Sequence, residues 1–205
     1  MIVIVDYGMG NLRSVLHKLQ RVGAPAVLSS DAKEIEQAKK LILPGVGAFA
    51  AGMKNLSEFG LLPVLNYKVL VEKTPILGIC LGMQLFAKSS TEGNANGLGW
   101  LNAEVQRFDF SQLSVPLHIP HVGWNTVNIH KTSILFEGVQ SDQHFYFTHS
   151  YHLTTLDKDI VLATTTYGYP FISAVQSENI YGVQFHPEKS HRRGLIIYQN
   201  FINKT

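Results

Sequence analysis

The pentapeptide Gly78-Ile79-Cys80-Leu81-Gly82 carries the chain's one cysteine, set between two glycines at the end of an apolar run. A G-x-C-x-G pattern between a strand and a helix has the form of a nucleophile elbow, where small flanking residues let the chain turn tightly and present the central side chain at the carboxyl edge of a sheet. A sulfur there sits at a helix N-terminus, whose free N–H groups favour the reactive thiolate. The same residues also suit an inert sulfur packed as a small hydrophobe. A thiol nucleophile needs a base, and the base needs an acceptor that fixes its tautomer. "YGVQFHPEKS" offers both: His186 and Glu188 point the same way if extended geometry continues through Pro187. Pro187 cannot donate to a ladder, so the segment is expected to leave the sheet there with the base exposed. Taken alone, H-x-E also reads as a surface pair. Donors for an oxyanion come from "LPGVGAF", residues 43 to 49, with the Leu81 N–H as a second. That stretch equally fits an ordinary strand-to-helix turn.

These residues need a scaffold that brings distant segments to one edge. In the first half "IVIVD", "LRSVLHKLQRVG", "AVLSS", "DAKEIEQAK" and "KLILPGVGAF" alternate strand-like and helix-like spacing, with Gly23 closing the first helix and Asp31 capping the second. "TPILGICLGMQLFAKSS" repeats strand, sharp turn and helix. Beyond about residue 100, β-type runs such as "AEVQRF", "HFYFTHSYHL" and "FISAVQSENIYGVQFHP" crowd together, and "RGLIIYQNFIN" reads as a final helix. The expected class is α/β: a doubly wound, mostly parallel sheet with flanking helices and an antiparallel extension, residues 1–205 forming one domain.

Composition narrows the function. Seventeen Lys plus Arg against fifteen Asp plus Glu are scattered rather than striped, which gives no case for nucleic acid. No apolar run approaches the ~18 residues that a membrane span needs. The short apolar run after Met1 reads as a first strand rather than a signal peptide, and a lone cysteine agrees with a reducing cytoplasm. "GMGNLR" lacks the third glycine of a dinucleotide fingerprint, so no cofactor is expected from Gly8 and Gly10. His144, His149 and His152 cluster, but no H-E-x-x-H spacing exists and strand alternation sets His149 opposite the other two, so no metal is expected.

Together the Gly-x-Cys-x-Gly elbow, the upstream Pro-Gly turn and the downstream His-Pro-Glu resemble the class I, triad-type glutamine amidotransferases. Within that family the chain is most similar to the glutaminase subunits of imidazole glycerol phosphate synthases, from residue 1 to the end. The resemblance implies Cys80 as nucleophile, His186 as base and Glu188 as its orienter. It implies an oxyanion strand at Pro44–Gly47, with Val46 and Leu81 as donors and Gly47 allowing a peptide flip. Gln84 would hold L-glutamine, aided by His149, Ser150 and Tyr151. "DYGMGNLRSV" and "IPHVGWN" resemble the surface that docks on a β/α-barrel cyclase subunit, which assigns Gly10, Asn11, His121, Trp124 and Asn125 to the interface of a heterodimer. The implied reaction hydrolyses glutamine and channels ammonia to the barrel for histidine biosynthesis. "RFDFSQLSVPLHIPHVGWN" and "HRRGLIIYQNF" also fit related glutaminases that feed ammonia to a sugar substrate in surface-polysaccharide pathways. A cysteine hydrolase or protease of the same superfamily, or a silent scaffold that only binds a barrel, are readings of a different class.

Overall fold

The computed structural model describes residues 1–114, 117–140 and 143–205. Four strands open the large sheet: β1 (Ile2–Val5), β2 (Ala26–Ser29), β3 (Lys40–Gly45) and β4 (Ile76–Cys80). They lie in the order β2, β1, β3, β4, followed by the late strand Ile180–Val183, and every pairing among the five is parallel. β1, β4 and Ile180–Val183 are buried at every residue. Continuous apolar runs of this kind belong to strands covered on both faces, which is why they do not alternate.

Two apolar clusters supply those covers. Leu12–Arg21 and the C-terminal helix His191–Lys204 pack on one face through Val15, Leu19, Ile197 and Phe201. Ala32–Glu36, Phe49–Glu58 and Leu62–Asn66 pack on the other through Ile35, Leu56 and Leu65. The first helix closes as its sequence dictates: Gly23, at φ 75°, donates to the Gln20 carbonyl, and Ala24 donates to that of Leu19. Asp31 caps the second by accepting from the Lys33 N–H at 2.8 Å. The antiparallel extension is built on Tyr169–Ser177, which pairs with Ile180–Val183, Tyr151–Thr154 and Val161–Tyr167. A doubly wound parallel sheet with an antiparallel extension is the class expected from the sequence.

Two local expectations change. The helix after Cys80 is a single turn, Leu81–Gln84, rather than a run to Ser90. The N–H groups of Leu98, Gly99 and Leu101 take the carbonyls of Leu85, Ala87 and Phe86, and Ser89–Ser90 pairs with Glu104 and Val105 instead. The run "HFYFTHSYHL" is likewise two strands. His144–His149 pairs with His121–Thr126 in a separate two-stranded sheet, while Tyr151–Thr154 joins the large one. The break at Ser150 overturns the alternation expected across the run: His149 and His152 are both buried and both pack on Phe108.

Candidate active site

Cys80 ends β4 at φ 55°, ψ −110°, a conformation L-residues avoid, so its side chain leaves the sheet's carboxyl edge. Glycine is required on both sides. A Cβ on Gly78 would stand 2.6 Å from the Phe86 ring, and one on Gly82 would overlap the Leu43 carbonyl oxygen of β3. The following helix is too short to carry a full macrodipole, so the sulfur's polar surroundings come from side chains and individual peptides. Gln184 Nε2 donates to Cys80 Sγ at 3.5 Å, and the Thr148 carbonyl lies 3.9 Å from the sulfur.

His186 comes from the segment after Ile180–Val183, the strand paired with β4. Extended geometry does not continue through Pro187. The proline instead starts a short 3-10 turn, Pro187–Lys189, which folds Glu188 back onto the imidazole. Nδ1 of His186 and Oε1 of Glu188 are 2.7 Å apart. The pair is buried rather than exposed as expected, because the backbone around it is tied down. The His186 N–H donates to the Tyr146 carbonyl, and the Ser190 hydroxyl donates to the His186 carbonyl at 2.7 Å. Nε2 has no hydrogen-bond partner among the described residues. Burial opposes the imidazolium, yet the Cys80 sulfur and then the Glu188 carboxylate outweigh it and push the His186 pKa up to about 10.

A cleft of about 250 Å³ opens on Cys80, lined by Val46, Gly47, Leu81, Gln84, Glu92, Pro120 and the segment Thr148 to Tyr151. All seven substrate and oxyanion residues expected from the sequence therefore meet around one sulfur. A larger hollow of about 550 Å³, bordered by His130, Lys131, Lys158 and Phe171, has no cysteine in its lining. Within the cleft wall Gln84 is not free to turn: its Nε2 donates to the Tyr151 carbonyl and to Gln184 Oε1, both at 2.9 Å. Among the described residues no group of three or more His, Cys, Asp or Glu is placed to hold a metal.

The residues expected at a docking face divide. Trp124 is 45% exposed and stacks on His191 at an interplanar angle of 9°, and Asn11 is exposed. His121 departs from expectation. Alternation along His121–Thr126 turns Val122 and Trp124 outward and His121 inward, where its Nδ1 meets His149 Nε2 at 3.2 Å. Asn125 shares the inner face and donates to the Thr166 carbonyl at 2.9 Å.

Burial holds the inner histidines neutral, lowering His149 to about 3 and His121 to about 4, with His152 lowered as well. Unfolded, each would take up a proton near pH 6.5. The unfolded chain then binds more protons below that pH, so stability present above 6.5 is lost as pH falls toward 4, by up to about 1.4 kcal/mol per unit per histidine. The urea midpoint is expected to drop between pH 6.5 and 5, above most carboxylate titration. A midpoint unchanged over that range would contradict the neutral assignment.

The family description "Glutamine amidotransferase class-I" matches residues 3–204. The chain belongs to that family. It is 49% identical over 205 residues to imidazole glycerol phosphate synthase subunit HisH 2 of Methanococcus maripaludis, covering all of both chains. It is 45% identical to the HisH 2 subunit of Pseudomonas aeruginosa, over 98% of each chain. Solved structures agree on the fold. A glutamine amidotransferase superposes with a TM-score of 0.75 at 23% identity, over 98% of this chain and 97% of that one. The glutaminase domain of Trypanosoma brucei CTPS with bound acivicin gives 0.67 at 19%, over 100% and 94%.

Two residues lining this amidotransferase's cleft, Glu92 and Thr148, and the buried Gln184 beside the sulfur were not singled out in its sequence. Gln184 was legible, since Gly182, Gln184 and His186 recur with the strand period and would face one side. Glu92, whose Oε2 accepts from the Phe49 N–H at 2.8 Å, sits in the turn-rich "STEGNANG", which carries no chemical pattern. Thr148 enters through its carbonyl, which any residue has.

Proposed function

We propose that this chain, as one amidotransferase domain, is the glutaminase subunit of an imidazole glycerol phosphate synthase, working by a Cys80–His186–Glu188 triad. The observation that carries the reading is the junction of the Cys80 elbow with the buried His186–Glu188 pair at the carboxyl ends of two paired parallel strands. Glutamine enters the cleft with its γ-amide at the sulfur, and the Glu92 carboxylate gives the α-ammonium an opposite charge.

The Cys80 thiolate adds to the γ-carbonyl carbon, and the oxygen takes the negative charge beside the Val46 and Leu81 N–H groups. The C–N bond then breaks as the His186 imidazolium gives its Nε2 proton to the departing nitrogen. Ammonia and a γ-glutamyl thioester result. His186, now neutral, takes a proton from water, whose oxygen attacks the thioester and releases glutamate and the thiolate. Glu188 holds the ring by Nδ1 throughout, which leaves Nε2 as the atom that exchanges protons.

Free ammonia in neutral water is mostly ammonium, which has no lone pair for attack. Delivery to a barrel cyclase subunit through a sheltered channel, in a heterodimer in the cytoplasm, avoids that loss. Exposed Trp124 supplies an aromatic anchor for the docking face. No described helix is long and apolar enough to cross a membrane.

The test is glutamate release from L-glutamine by the chain alone, then with the barrel subunit of its own organism and that barrel's nucleotide substrate. Stimulation of at least about tenfold is expected, a coupling within the usual range between sites. Equal rates alone and in the complex would overturn the partnership. Silence with that barrel but activity with one encoded beside a sugar pathway would keep the triad and change the acceptor.

A further inference from the structure

Tyr7 follows β1 and is fully buried, and its hydroxyl has no hydrogen-bond partner among the described residues. Buried donors without acceptors are rare, and each calls for an explanation. This one lies against Gly45, the last residue of β3, whose register partner is Cys80. A Cβ on Gly45 would collide with the Tyr7 hydroxyl oxygen, and it would also stand 2.9 Å from Leu81 Cβ and 3.1 Å from the Gly82 nitrogen. The hydroxyl therefore occupies the space that the missing side chain leaves, directly beneath the turn and the elbow that frame the cleft.

Those two segments carry the oxyanion donors of the mechanism above. A trans peptide points its N–H and C=O in opposite directions. When the Gly45–Val46 peptide presents the Val46 N–H to the cleft, the Gly45 carbonyl must turn away from the cleft, toward the interior. The turn has the freedom to do so: Val46 is 39% exposed, and Gly47 rests at φ 122°, which a branched residue would resist.

We propose that the Tyr7 hydroxyl is a positioning group of the oxyanion hole, donating a hydrogen bond to the Gly45 carbonyl in the conformation that aims the Val46 N–H at the substrate oxygen. The role rests on the glutaminase reading, and Tyr7 touches neither substrate nor nucleophile. Its phenol stays protonated, because burial and then the nearby Cys80 sulfur raise its pKa well above the ordinary range, so it remains a donor at any working pH. The bond forms only in the catalytic conformation, so it strengthens transition-state binding rather than substrate binding.

The experiment compares Tyr7→Phe with wild type in the complex with the barrel subunit, reading kcat and KM for glutamine, the Tm, and the rate at which iodoacetamide alkylates Cys80. Phenylalanine keeps the ring's packing and removes the one atom at issue. A fall in kcat of about tenfold is expected, the size of one hydrogen bond. KM should stay within about twofold, and Tm should be unchanged or higher, because the hydroxyl has no partner to lose. Alkylation should keep its rate, since displacement of iodide forms no oxyanion. An active wild-type complex with an equally active Tyr7→Phe overturns the role of Tyr7 alone. So does a loss of turnover matched by losses in Tm and alkylation, which marks packing. A wild-type complex that releases no glutamate overturns the glutaminase reading and this role with it.

Discussion

Cys80→Ser is expected to lower glutamate release in the barrel complex by at least about 10⁴-fold, because single removals of a triad nucleophile cost that much or more. The change replaces one atom inside a cleft whose walls stay in place. Serine has nearly the same shape, but its hydroxyl is a poor nucleophile at its free pKa and needs its own activating base geometry. Cys80 and then Glu188 raise the His186 pKa; opposite a neutral hydroxyl His186 loses the sulfur's contribution and must first take the hydroxyl's proton as base before it can pass a proton to the leaving nitrogen. Binding is affected far less. The variant should assemble with the barrel and support cyclase turnover from added ammonium salt at the wild-type rate, while turnover from glutamine disappears. Glutamate release within tenfold of wild type would exclude the thiol mechanism. Loss of the ammonium-dependent reaction as well would mean that the variant disrupts the complex rather than the chemistry.

The parts of this site that were legible in the sequence are those where one residue type has one physical use. Gly78 and Gly82 flank a cysteine because nothing larger fits beside Phe86 and the Leu43 carbonyl, so the spacing announces the elbow. The spacing of His186 and Glu188 offered a hydrogen-bonded pair, and the structure has one, although the geometry that joins them is a 3-10 turn and not a strand. What the sequence did not carry is the competition among backbone groups. Leu81–Gln84 stops after one turn because the next carbonyls, those of Leu85 to Ala87, are taken by N–H groups between Leu98 and Leu101, and no local propensity of "LFAKSS" reveals that. His121 looked like a surface residue beside Trp124, but strand alternation gives adjacent residues opposite faces, and only the pairing with His144–His149 decides which face is inward. Roles played by main-chain atoms, such as the Thr148 carbonyl beside the sulfur, have no sequence signature at all.

Gly82→Ala should be the most damaging single methyl addition near the site, and its cause separates cleanly from the usual glycine effect. Many glycines here have positive φ, Gly23 among them at 75°, and a Cβ at Gly23 would meet nothing within 4 Å. Alanine at position 23 therefore carries conformational strain alone, about 1 kcal/mol. Gly82 is the reverse case. It has no positive φ, but the added methyl would be driven into the carbonyl oxygen of Leu43, a backbone atom in β3 that cannot rotate aside. Leu43 is paired with Gly78 and lies two residues before Gly45, so relieving the overlap forces apart β3 and the elbow. The cost is expected to exceed the ~1–3 kcal/mol typical of core overpacking. It falls on the two segments that, in the proposed mechanism, hold the Val46 and Leu81 N–H groups within hydrogen-bond reach of one oxygen. Urea unfolding should show Gly82→Ala losing at least about twice the stability lost by Gly23→Ala, with glutaminase turnover below about 1% of wild type even where the variant is fully folded. Comparable losses for the two variants, or a folded Gly82→Ala with ordinary turnover, would mean that β3 and the elbow can move apart without disturbing the oxyanion donors. The close fit of Gly82 under Leu43 would then be a packing feature with no bearing on catalysis.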